Sequence, residues 1–306
     1  MNRDGRINQT LSLLLLLVGL VSQPAAAALK VLACEPEWAA LVQELAGDKV
    51  TVTSATTALQ DPHHIEARPS LIARARNADL LVCTGSELEV GWMPLLLTQS
   101  GNAKIQPGAP GFLEAAPLVT RLEVPKALDR AMGDIHPGGN PHIQLDPRNI
   151  ARVAEALRDR LIVLDPANAE TYKARSTAFL ARWREAIQRW ETKAAPLKGL
   201  AMVVYHKNMA YLNAWLGLRE VGSLEPKPGI PPTTSHLAEL VKRMQSEPAK
   251  VIVYVPYNNP QAAEFLSGRA GIPAVMLPFT VGGSDAAKDL FGLFDDTISR
   301  LLAVLK

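Results

Sequence analysis

Apolar and polar positions alternate along this chain in short stretches, and between them apolar residues return at every third or fourth position. Residues 30–34 (Lys-Val-Leu-Ala-Cys) and 49–54 read as strands, with a helical stretch over 38–46 between them. A second helix follows over 70–76, an apolar run over 79–83 reads as a buried strand, 89–98 as helix and 115–119 as a fourth strand. Strands alternating with helices give a parallel sheet covered on both faces. Asp146-Pro147 opens a helix over 148–161, with proline at the first position, where no intrahelical bond is lost. Asp165-Pro166 opens a longer one over 167–194, on which Tyr172, Phe179, Trp183, Ile187 and Trp190 recur at helical spacing. At ~1.5 Å per residue this is a rod about 40 Å long, enough to tie two domains together.

The second half repeats the theme: strand 200–205, helix 208–217, strand 218–224, helix 233–245, strand 250–255, a helix opened by Asn259-Pro260, strand 273–278 and a closing helix over 288–305. Residues 225–232 are rich in proline, which cannot donate to a ladder, and read as a loop. The pattern predicts an α/β protein of two open parallel-sheet lobes joined by one long helix: a first lobe over 29–164, the linking helix within 165–196 and a second lobe over 197–306.

The N-terminus sets the compartment. Arg3 and Arg6 precede an apolar run over 11–21, and Gln23, Pro24 and four alanines follow it. That layout predicts a secretory signal peptide over 1–28, cleaved after Ala28, because the apolar run is too short to span a bilayer. Lipoprotein processing at Val31-Leu-Ala-Cys34 is disfavoured by Lys30 inside the apolar stretch. The mature chain is expected in the periplasm as a monomer. Its formal charge falls from +2 to +1 when Arg3, Arg6 and Asp4 leave, and this balance excludes a nucleic-acid surface, which needs clustered Lys and Arg. In an oxidising space the two cysteines, Cys34 and Cys83, are expected to form a disulfide.

Six histidines are unevenly placed. His63 and His64 follow the second strand, His142 precedes a helix, and His206 ends the first strand of the second half. Asp285 follows the last strand, in Val281-Gly-Gly-Ser-Asp. Ligands of open α/β sheets bind beyond the carboxyl ends of strands, so a cleft between the lobes brings His63, His142, His206 and Asp285 together. Three neutral imidazoles and one carboxylate suit a tetrahedral Zn²⁺ and leave no open position for a reactive water. His64 reads as a neighbour pointing elsewhere, with a supporting role beside the site as the alternative, His136 as an exposed loop residue ahead of an auxiliary ligand, and His236 as structural. Glu66 is a candidate partner for a ligand's imidazole N–H, and Trp38, Glu87 and Trp92 line either the cleft rim or the core.

Asp61-Pro-His63, Pro141-His-Ile-Gln-Leu-Asp-Pro147, Tyr205-His206 and Gly282-Gly-Ser-Asp285 resemble, in that order, the motifs of ABC-importer solute-binding proteins for zinc and manganese. The resemblance runs over essentially the whole mature chain. It implies a two-domain fold with a rigid helix between lobes, metal held by His63, His142, His206 and Asp285, and delivery to an ABC permease in the inner membrane. A periplasmic metallochaperone is a second candidate partner. Three departures stand out. Ile65 and Gln144 replace common aromatics, and residues 129–139 carry only His136, Asp129 and Asp134 where zinc members often have a long loop rich in His and acids. Three nitrogen ligands favour Zn(II) over Mn(II) as the cargo. Two other functions compete: a zinc chaperone or adhesin without a transporter, and a zinc hydrolase. The hydrolase reading lacks a His-Glu-x-x-His helix and a marked general base.

Overall fold

The structure is a computed structural model that describes residues 28–127 and 133–306. The leader expected over 1–28 lies outside them but for its last residue. Among the described residues the strands form two four-stranded sheets, parallel throughout. The first contains β1 (Leu29–Ala33), β2 (Val50–Ser54), β3 (Leu80–Cys83) and β4 (Phe112–Glu114), in the order β2-β1-β3-β4. The second contains β5 (Ala201–Val204), β6 (Arg219–Ser223), β7 (Val251–Tyr254) and β8 (Ala274–Met276), in the order β6-β5-β7-β8. In each sheet the chain starts inside and winds outward both ways, which leaves a crevice at the carboxyl ends beside the first strand.

The helices are α1 (Pro36–Ala46), α2 (Pro69–Asn77), α3 (Met93–Ser100), α4 (Pro147–Leu164), α5 (Ala169–Ala194), α6 (Ala210–Leu216), α7 (Thr234–Ser246), α8 (Gln261–Ala270) and α9 (Leu290–Ala303). Because side chains of a strand point to alternate faces, each sheet feeds two cores. Val31, Ala33, Leu80 and Val82 of the first sheet and Met202, Val204, Val251 and Val253 of the second belong to one continuous core. Leu32, Leu81 and the Cys34–Cys83 disulfide pack under α2 and α3 on the far face of the first sheet. Val203, Val221 and Ile252 pack under α7 and α8 on the far face of the second.

The shared core is sealed by α5. Phe179 stacks on Trp183 at 5.3 Å, and Trp183 meets Trp190 edge to face at 5.1 Å. Trp183 Nε1 donates to the Pro147 carbonyl at 2.7 Å, at the start of α4, and Trp190 Nε1 donates to Asp295 Oδ1 at 2.8 Å, on α9. One helix is therefore pinned to both lobes. An apolar interface of this kind resists relative lobe motion more than the polar contacts usual between domains.

Three elements differ from the sequence reading. The fourth strand lies at Phe112–Glu114 rather than 115–119, because Pro117 cannot donate to a ladder and Ala116–Leu118 turns as a 3₁₀ helix. The helix expected over 89–98 begins at Met93, since Gly85, Ser86 and Glu87 have φ of 77°, 50° and 66°, left-handed conformations that precede a turn. The last helix starts at Leu290, where Asp289 accepts a capping bond from the Gly292 N–H at 2.7 Å. Trp38 and Trp92 are core residues, both essentially inaccessible.

Candidate metal centre

Three histidines meet between the carboxyl ends of the two sheets. His206 stands two residues beyond β5, His63 lies on the loop after β2, and His142 lies on the stretch that leads into α4. Their ring centroids form a triangle with each side 5.6 Å long. One nitrogen of each lies within 4.8 Å of the others.

Each ring is fixed from behind. His63 Nδ1 lies 2.7 Å from Asp61 Oδ1, and the same oxygen accepts the His63 backbone N–H at 3.0 Å. His142 repeats the device: Nδ1 lies 2.8 Å from Asn140 Oδ1, which accepts the His142 backbone N–H at 3.1 Å. In both, a proline between acceptor and histidine presets φ and turns the chain so that an Asx side chain reaches two residues on. His206 uses a distant partner, with Nδ1 2.7 Å from Glu225 Oε2, which also accepts the Gly229 N–H at 3.0 Å. Three acceptors thus place the proton on Nδ1 and leave the Nε2 lone pairs facing the centre. Asn140 cannot be read the other way round, because its amide Nδ2 donates to Glu123 Oε2 at 2.8 Å and to the Lys207 carbonyl at 2.9 Å.

Burial keeps the His142 ring neutral. Burial pushes His142 well below the usual imidazole range, and His63, His206 and His136 push it further. His142 Nε2 is buried without a hydrogen-bond partner. Phe279 packs edge-on against His142 at 5.5 Å, and Tyr257 packs on Phe279 at 5.7 Å. Asp61 keeps its charge: burial opposes it, but the hydrogen bonds from the His63 ring and backbone outweigh burial and hold the carboxyl below its ordinary value. The Trp92 indole donates to the Pro62 carbonyl at 2.8 Å, so this core tryptophan also anchors the His63 turn.

The remaining candidates are placed as follows. Asp285 is exposed and does not belong to the close group formed by His63, His142 and His206. The turn that carries it is held by Ser284 Oγ, which donates to Asp296 Oδ2 at 2.6 Å. His64 is exposed, and His236 bonds the Ser223 carbonyl at 2.9 Å. Glu66 is exposed and pairs with Arg68 at 3.2 Å, so it does not hold a ligand ring. His136 departs from its reading as an exposed loop residue: it is partly buried, with Nε2 3.2 Å from His63 Nε2, and like Asp285 it stands outside the close group of three. Burial, followed by His63 and His206, pushes its pKa to about 4, against backbone hydrogen bonds at Glu87 and Ser86. The acceptors Asp61, Asn140 and Glu225 escaped the sequence reading. For the first two, the repeated Asx-Pro-His was the available signal. The other close group, Cys34, Cys83 and Glu89, offers no thiolates because its sulfurs are bonded to each other.

A family profile described as zinc-uptake complex component A, periplasmic, matches residues 31–304. Among similar proteins, the zinc-binding lipoprotein AdcA of Streptococcus pneumoniae is 24% identical over 77% of this chain and 46% of its own length. The chain thus spans about half the length of that relative. The high-affinity zinc uptake system protein ZnuA of Bacillus subtilis is 22% identical over 86% of this chain and 82% of its own. The manganese-binding lipoprotein MntA of Halalkalibacterium halodurans is 24% identical over 67% and 64%. A crystal structure of ZnuA superposes with a TM-score of 0.73 at 22% identity, covering 90% of this chain and 99% of that one. The Mn-bound periplasmic metal binding protein of Candidatus Liberibacter asiaticus gives 0.74 at 20% identity, covering 91% and 100%. A match across both sheets and the helix between them settles membership: this chain belongs to the family of the periplasmic zinc-uptake complex component A.

Proposed function

We propose that this chain captures a single Zn(II) ion between its lobes, 29–164 and 197–306, outside the cytoplasmic membrane and presents it to an ABC-type permease. The observation that carries this reading is the convergence of His63, His142 and His206, each with Nδ1 held by an acceptor, around a buried and unpartnered His142 Nε2. A buried polar atom without a partner costs about 1–3 kcal/mol, and a metal ion bound there would repay that cost. The donor set fits zinc: neutral imidazoles with carboxylate or amide acceptors behind them are the usual outer shell of such sites. Zinc ranks above manganese, which prefers oxygen. The fourth corner falls to a residue of the rim. The family resemblance names Asp285, whose turn begins just after Phe279, the residue that packs on His142.

The ion is cargo, so the protein's task is to bind and release rather than to react. Homologues named for high-affinity zinc uptake and for manganese binding support a transport role, and a monomer served by a permease, with a metallochaperone as donor, fits it. Isothermal titration of the chelator-stripped mature chain tests the reading. It should show one Zn(II) per chain, bound at least tenfold more tightly than Mn(II). Absence of zinc binding, or a preference for manganese, would overturn it.

A further inference from the structure

Resting on the three-histidine reading above, we infer that His136 is a nitrogen ligand of the same ion and takes its fourth corner, which makes the site all-imidazole. The first observation is a distance. Two ligands of a tetrahedral zinc at ~2.0–2.1 Å stand about 3.3 Å apart along the tetrahedron's edge. His136 Nε2 and His63 Nε2 are 3.2 Å apart, already at that spacing. The ring centroids of His136 and His142 are 6.4 Å apart, and His136, His142 and His206 line one cavity of about 330 Å³.

The second observation is how the segment carrying His136 is held. A turn closes His136-Pro-Gly-Gly139, with the Gly139 N–H donating to the His136 carbonyl at 2.9 Å. Proline sets its first corner, and Gly139 has a φ of +95°, open to glycine at no steric cost. Gly138 lies so close to Ser86 that a Cβ would come within 3.1 Å of the Ser86 hydroxyl. Ser86 and Glu87 adopt left-handed backbone without being glycine, a conformation that persists where surroundings enforce it. On the other side, the Asp134 N–H donates to the Pro228 carbonyl at 3.0 Å, within the loop that also carries Glu225. Residues 133–139 therefore form a strap from the 85–87 turn of the first lobe to the 225–232 loop of the second, and His136 is the side chain it brings to the triad.

Four nitrogen donors favour zinc over manganese more than three nitrogens and a carboxylate. Loss of a ligand should exceed the ten- to hundredfold typical of losing an outer partner. The test uses the full mature chain as wild type, His136→Ala, His136→Gln, Asp285→Asn and His206→Ala. Zinc affinity is read by competition with a chromogenic chelator, manganese affinity by titration, and fold by the urea midpoint of the metal-free form. Both His136 variants should lose zinc affinity at least tenfold with an unchanged midpoint, and the gap between zinc and manganese should narrow. Asp285→Asn should lose less zinc affinity than either His136 variant. Wild-type zinc affinity in His136→Ala, or a loss that falls on Asp285→Asn instead, would overturn the inference. His206→Ala separates the two readings: if it loses zinc while His136→Ala does not, only the fourth ligand is wrong. If it binds zinc as wild type does, the three-histidine site itself fails.

Discussion

Asn140 holds His142 with one oxygen at two points, the ring Nδ1 at 2.8 Å and the backbone N–H at 3.1 Å, while its amide nitrogen grips the Lys207 carbonyl of the other lobe. The residue that aims a ligand thus also joins the lobes on either side of the site. Asn140→Ala should weaken zinc binding by roughly ten- to a hundredfold through loss of ring orientation. It should also cost about 1–3 kcal/mol of stability through the groups left without a partner. Asn140→Asp keeps the acceptor and should recover most of the affinity but not the bond to Lys207. Chelator competition and urea unfolding of both variants check this pair of effects.

Zinc affinity should fall as pH drops below about 6.5, the ordinary imidazole value, because protons compete for the same lone pairs. The metal-free protein should respond in the same sense. Burial, with the neighbouring histidines, lowers the pKa of His142 in the fold, and that of His136 to about 4. The unfolded chain therefore binds more protons near pH 5 to 6. The stability these groups contribute is present above ~6.5 and is lost as pH falls toward their folded values. Zinc affinity that stays flat from pH 7.5 to 5 would contradict the imidazole assignment.

Glu37 behaves in the opposite sense. It is 1% exposed, accepts the Thr280 hydroxyl at 2.5 Å across the lobe boundary, and burial raises its pKa to about 7. A raised folded value means that its contribution is fully present below the unfolded value near 4.5 and is lost as pH rises through about 7. Glu37→Gln keeps an acceptor for Thr280 but cannot ionise. Relative to wild type, the variant should gain stability between pH 6 and pH 8.5, read from urea midpoints. A difference that does not change with pH would contradict a proton on Glu37 in the folded state.

Cys34 and Cys83 extend adjacent strands and close a loop of 49 residues. Replacing both by serine should cost about 2–4 kcal/mol, and thiol labelling of the denatured, unreduced wild type should find no free cysteine.

Much of the fold was legible because it rests on local periodicity. Alternation in Lys49 to Ser54 marks a strand with two unlike faces, and the aromatic spacing on 167–194 announces a helix that must bury one stripe. What escaped was set by tertiary context. The fourth strand moved from 115–119 to Phe112–Glu114 because pairing with β3, not apolar content, chose the segment. In the site, His63, His142 and His206 were legible from their positions at strand and helix ends. Their acceptors were less so: Asp61 and Asn140 repeat a local Asx-Pro-His turn, but Glu225 is nineteen residues from His206 and only the fold brings them together. The approach of His136 to His63 spans 73 residues, and only the fold shows it.

The central claim is that imidazoles from both lobes hold one zinc ion, and His206 is the ligand that the second sheet supplies. Zinc affinity of wild type, His206→Ala and His64→Ala, measured side by side by competition with a chromogenic chelator, tests it most directly. His206→Ala should lose at least a hundredfold, because an interlobe ligand is removed from a set that leaves few others, while His64→Ala, exposed beside the site, should stay within a few fold. Equal losses at the two positions, or wild-type affinity in His206→Ala, would contradict an interlobe site.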